Sequence, residues 1–179
     1  MQRLPAIAIV LLASLIAAGC GSSKNQTTST ADWADGVCSA ISTWGNSIKS
    51  AGDSLKGGNI SKDSLQSAGD DVTSATETLE SDLKDLGKPD TQAGQQAKDM
   101  VDQLSNELTA DTDSIKNAVN DASGVSGIAS AVGTISTTLV TMGNQVSSTL
   151  KSLEQLDPKS ELQTAFQQST NCKQLSTSS

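Results

Sequence analysis

Residues 125–156 read VSGIASAVGTISTTLVTMGNQVSSTLKSLEQL. Val125, Val132, Leu139, Val146 and Leu153 recur every seventh residue, and Ile128, Ile135, Met142, Thr149 and Leu156 form a second row at the same interval. Two such rows lie along one side of an α-helix, where residues three and four apart share a face. The pattern is that of a coiled-coil-like seam. At 1.5 Å per residue, a helix over this stretch spans about 48 Å. No charged residue occurs from Ala122 to Leu150, and Gly124, Gly127, Gly133 and Gly143 fall within that run. Small residues at such spacings let helices approach closely in a membrane. Ser, Thr, Asn and Gln are interspersed throughout, however, so the run lacks the predominantly apolar composition of a span. It reads as the central helix of a bundle, with membrane insertion as the alternative.

Working backwards, three more stretches carry helical spacing. The first runs from about Asp32 to Leu55, with Val37, Ile41, Trp44, Ile48, Ala51 and Leu55 on one face and Gly57-Gly58-Asn59 ending it. The second runs from about Lys62 to Leu86 behind Ser61, a residue suited to an N-cap. Leu65, Val72, Leu79 and Leu86 repeat every seven residues there, beside Ala68, Ala75 and Leu83. Gly87-Lys88-Pro89-Asp90 supplies a break. The third runs from about Thr91 to Ala122, with Val101, Leu108, Ile115 and Ala122 in one row and Ala97, Leu104 and Ala118 in another. Asp111 falls in register with the second row, so its carboxylate must be at a bundle end, paired or facing water. After Asp157-Pro158, read as an N-cap and first helical residue, a short fifth helix carries Leu162, Ala165, Phe166, Ser169 and Cys172 on one face. The expected fold is all-α: an antiparallel bundle of four long helices plus a short C-terminal helix. Short connections make neighbouring helices antiparallel.

Composition bounds the chemistry. There is no His and no Tyr, so Ser-His-Asp and Cys-His nucleophile systems are excluded, as are His-ligated metal sites. The aromatics are Trp33, Trp44 and Phe166, few for stacking sugars or bases. The net charge of −8 argues against nucleic acid and against peripheral docking onto anionic lipid headgroups. Asp70, Asp71, Glu77, Glu80, Asp82 and Asp85 form one acidic stretch, and Asp99, Asp102, Glu107, Asp111 and Asp113 another. Neither has the calcium loop of an EF-hand, and both read as solvated helix faces. A carboxylate pair for glycoside hydrolysis would lack aromatic platforms and a cleft. No Gly-rich phosphate loop is present. No cofactor, metal site or catalytic residue is expected. Trp44, on the apolar stripe, reads as core, whereas Trp33 is either an anchor at the helix start or a surface contact.

The N-terminus carries a different kind of signal. Met1 to Cys20 read MQRLPAIAIVLLASLIAAGC: Arg3, an uncharged run from Leu4 to Gly19, then Ala17-Ala18-Gly19-Cys20. The run is short for a membrane span, which needs about 20 apolar residues. It resembles the signal peptide and lipobox of bacterial prolipoproteins, with Ala18 and Gly19 matching the small positions and Ala17 standing where that motif usually has Leu. The resemblance implies diacylglycerol on the Cys20 thiol, cleavage before Cys20, and anchoring on the extracytoplasmic side of a bacterial cell membrane by two or three acyl chains. Removing residues 1–19 removes one charge, Arg3, and takes the net charge from −8 to −9. Residues 20–31, polar between Gly21 and Thr30, are expected to be a flexible tether, 32–176 the bundle and 177–179 a disordered tail.

With Cys20 lipidated, Cys38 and Cys172 remain. An exported protein sits where disulfides persist, so the even count favours a Cys38–Cys172 bond over two buried thiols. Such a bond requires the fifth helix to be short and to lie across the end where the first begins, or to continue the fourth with a kink. The stretch Trp33-Ala34-Asp35-Gly36-Val37-Cys38 with Trp44, and Phe166 with Cys172, resembles small helical lipoproteins of bacterial envelopes, actinobacterial ones among them. The expected function is a non-enzymatic, lipid-anchored envelope lipoprotein acting as an interaction or spacer module for another envelope component. The alternative is a lipoprotein that holds a small molecule or lipid between its helices. The apolar seams could also close between chains.

Overall fold

The computed structural model describes residues 27–57, 60–156, 159 and 161–177. A two-residue strand, β1 (Thr27–Thr28), leads into α1 (Thr30–Ser54). α2 (Lys62–Asp85) follows, then a second short strand, β2 (Lys88–Pro89), then α3 (Gly94–Asp121) and α4 (Gly124–Leu156). Two short helices, α5 (Glu161–Gln168) and α6 (Thr170–Thr177), complete the chain. The architecture is the all-α bundle of four long helices that the spacing predicts.

The helix starts are set by side chains. Ser29 caps α1, accepting from Asp32 N–H at 3.2 Å and donating to the Asp32 carboxylate at 2.6 Å. Ser61 caps α2 and accepts from Ser64 N–H at 3.1 Å, while Ser64 Oγ accepts from Ser61 N–H at 2.8 Å. That is a capping box with Ser in the place usually held by Glu. α2 is capped by Leu86, and Gly87 follows it with a φ of 63°, which suits a residue without a Cβ. α3 has no side-chain cap. A Cβ on Gly94, its first residue, would stand 2.1 Å from the Pro89 carbonyl oxygen, so only glycine permits this entry.

Trp33, Val37, Cys38, Ile41, Trp44, Ile48 and Ala51 of α1, with Leu55 at its C-cap, are buried, and α1 packs chiefly on α2, α5 and α6. One polar layer crosses that core. Trp44 Nε1 donates to Thr76 Oγ1 at 3.3 Å, and Thr112 Oγ1 lies 3.3 Å from Thr76 while donating to the Leu108 carbonyl at 2.8 Å. Thr76 and Thr112 are both buried, and their pairing satisfies groups that would otherwise be costly to desolvate.

Three expectations are corrected. First, α4 is not central. It packs chiefly on α3 and meets α1 over a short stretch only. Its buried face is the single stripe Ala131, Ile135, Met142, Val146 and Leu153, while Val132 and Leu139 are half-buried and Val125 is 88% exposed. A helix with one main neighbour buries one stripe, not two rows. Second, the expected tether is structured from Thr27. β1 pairs with β2 in parallel, Thr28 Oγ1 donates to the Leu86 carbonyl at 2.6 Å, and Asp90 N–H donates to Thr28 O at 2.9 Å. Backbone pairing orders a segment that has no large apolar side chain to bury. Third, the expected single fifth helix is two helices that meet at Ser169, and Thr177 belongs to the second of them, not to a tail. The signal segment, Cys20, Asp157-Pro158 and residues 178–179 lie outside the described residues.

Candidate functional site

One end of the bundle gathers most of the long-range links. α1 starts there, the α2–α3 connection passes there, and α5 and α6 pack across the first turns of α1. Cys38 and Cys172 form a disulfide, with a Cα–Cα distance of 5.0 Å and a sequence separation of 134. The two-helix C-terminal segment meets the geometric requirement that the sequence set, since α5 and α6 are short and lie against α1.

Around the disulfide the contacts are mixed. Trp33 is buried and meets Phe166 edge to face, with centroids 6.2 Å apart at 78°. Its Nε1 donates to the Gly87 carbonyl at 3.2 Å, tying α1 to the α2–α3 turn. Trp33 is thus an internal anchor, which decides between the two readings the sequence left open. Asp35 accepts from Ser169 Oγ at 2.6 Å and from Asn171 Nδ2 at 2.8 Å, and Ser169 Oγ in turn accepts from Cys172 N–H at 3.1 Å. These bonds hold the α5–α6 junction beside the disulfide. Spacing arguments missed this cluster, because a polar contact across more than 130 residues leaves no periodic trace.

The acidic residues of α2 and α3 lie mostly on exposed faces. Among the described residues, no group of three or more carboxylates or thiols is arranged to hold a metal ion. Asp111 is half-buried, and its Oδ2 is a buried atom without a hydrogen-bond partner. At the far end of α1, Lys49 and Lys56 hydrogen-bond the exposed Asp53 at 2.6 and 2.7 Å and hold its carboxyl down at about 2.

α4 is the other distinctive feature. By length and composition it is apolar enough to cross a membrane, yet 17% of its most apolar window is buried within the bundle. Val140 is 65% exposed, and a Cβ on Gly133 or Gly143 would meet nothing within 4 Å. The molecule therefore shows solvent one long face without charge beside faces rich in carboxylates.

Grooves flank α1 on two sides. Between α1 and α2, a groove of about 580 Å³ is lined by Trp44, Leu79, Asp71, Asp82 and several hydroxyl side chains. The hydroxyls of Thr43, Ser47, Ser50 and Thr78 donate to carbonyls four residues back in their own helices, so they offer a ligand only acceptor lone pairs. Between α1, α4 and α6, an apolar groove of about 340 Å³ runs over the disulfide.

No protein-family profile matches this chain, and no curated protein or solved structure is significantly similar to it. The architecture defines a disulfide-stapled, all-α helical bundle.

Proposed function

We propose that the protein is a lipid-anchored lipoprotein of a bacterial envelope, attached through Cys20, whose bundle serves as a non-enzymatic interaction module. The observation that carries this reading is the exposed, charge-free face of α4 on an otherwise acidic molecule. The cores of protein interfaces are depleted of charged residues, so a face without charge can be covered at a lower desolvation cost. The disulfide supports an oxidising, extracytoplasmic setting. The absence of His and Tyr from the sequence supports a non-enzymatic role.

Two measurements test it. Mass spectrometry of the protein from isolated membranes should find a lipid-modified Cys20 at the N-terminus. An unmodified Cys20, or a retained signal segment, removes the lipoprotein half of the reading. Photo-crosslinkers placed at Val140 and Ser136 on α4, and at Glu77 and Asp113 on the acidic faces, separate the surfaces. Adducts confined to the α4 positions are expected, and equal labelling of both faces would defeat the assignment of α4.

A further inference from the structure

The seam between α1 and α4 changes character along its length. Towards the far end the helices touch, since a Cβ on Gly52 would stand 3.6 Å from Leu139 Cδ1. Towards the stapled end, α5 and α6 pack on α1, and the α4 turns from Gly143 to Glu154 border an open trough. Ile41, Val146, Leu150, Phe166 and Leu175 line it, and the disulfide forms part of its wall. α4 presents Gly143 and Ser147 there, where a closed bundle would place large side chains. The walls are fixed by the disulfide and by Phe166 wedged on Trp33, so the trough exists before any ligand arrives.

We infer that this trough binds the hydrocarbon chain of a single-chain amphiphile with a singly charged anionic head, a long-chain carboxylate, whose head lies at Lys151. The shape carries the first part. The α4 segment bordering the trough is about 16 Å long, and a volume near 340 Å³ is at the small end for ligand sites, which suits one narrow chain rather than a two-chain lipid. Charge carries the second. α4 has no charge until Lys151, which is exposed on the rim and takes part in no ion pair among the described residues. Glu154 follows one turn later on the same rim and opposes a second negative charge, which disfavours a dianionic phosphate head. Among the described residues that line the groove, Lys151 is the one cation. The inference does not depend on lipid at Cys20 or on a partner for α4.

The test is equilibrium binding of radiolabelled palmitate and of the matching fatty alcohol to the full chain, both below their micelle concentrations. Saturable binding of one palmitate per chain is expected. Gly143→Phe, which fills the trough from a position with open space around its Cβ, should abolish binding of both ligands. Lys151→Glu should weaken palmitate about fivefold, the scale of one exposed ion pair, and leave the alcohol unchanged. Absence of saturable palmitate binding overturns the inference, as does a folded Gly143→Phe variant that binds normally. Equal loss of acid and alcohol in Lys151→Glu overturns the choice of a carboxylate. Because Lys151 is exposed, that variant still folds if Gly143→Phe does not.

Discussion

The two ends of this bundle are held by different means. Where α1 begins, a disulfide, a strand pair, two aromatic rings and the Asp35 hydrogen bonds join segments far apart in sequence. At the opposite end, the α1–α2 and α3–α4 connections are secured mainly by local devices: the Ser61 capping box, the left-handed Gly124, and one long-range bond from Lys62 Nζ to the Asn120 carbonyl at 3.3 Å. Long-range links lose most when cut, because each one closes a large loop. Local caps fix direction cheaply and can be lost singly. Global stability should therefore depend on the stapled end, and local fraying on the other.

The largest expected effect follows from removing the disulfide. Reduction, or the paired change Cys38→Ala and Cys172→Ala, should lower unfolding stability by roughly 4–5 kcal/mol in the chain-entropy model. Urea unfolding reads the loss, and hydrogen exchange should show α5 and α6 opening first. Uniform loss of protection along the whole chain would break the comparison. Next, Trp33→Ala should cost ~3–5 kcal/mol, since it deletes a buried ring together with its bond to Gly87. At the far end, Ser61→Ala should cost about 1 kcal/mol, with added exchange confined to the first turn of α2. A Ser61 effect as large as that of Trp33 would erase the distinction between the two ends.

The smallest effect concerns Asp53. Its folded pKa is depressed to about 2, so its contribution to stability is complete above the unfolded value near 3.9 and is lost as pH falls through about 2. The carboxylate is fully exposed, and water and salt screen the pair. Carboxyl NMR should record titration near 2 at low ionic strength and a rise towards 3.8 at high salt.

The parts of the fold legible in the sequence are those that repeat. The faces of α1, α2 and α3 followed the spacing of Ile41, Leu65, Leu79 and Leu108, all of them buried. Ser61 announced its helix, and the cysteine count announced its bond. Position within the bundle was less legible. The α4 rows look like a two-sided seam, but a periodic pattern records which residues share a face, not how many neighbours that face meets. Segment 27–30 is held by backbone hydrogen bonds, on which side-chain hydropathy is silent. The candidate trough was equally hidden. Gly143 and Ser147 look unremarkable until α5 is seen to pack on both α1 and α4.

The Cys38–Cys172 bond also sets the path of mechanical load. Tension applied to the chain before Cys38 and after Cys172 passes from one strand to the other through a single covalent bridge. The chain between the two cysteines hangs from that bridge as a closed loop, and the covalent path of the pull does not run through α2, α3 or α4. A cut in the connection between α1 and α2, or between α3 and α4, leaves the pieces joined in one molecule. A single proteolytic nick in either connection would therefore release no fragment of the bundle.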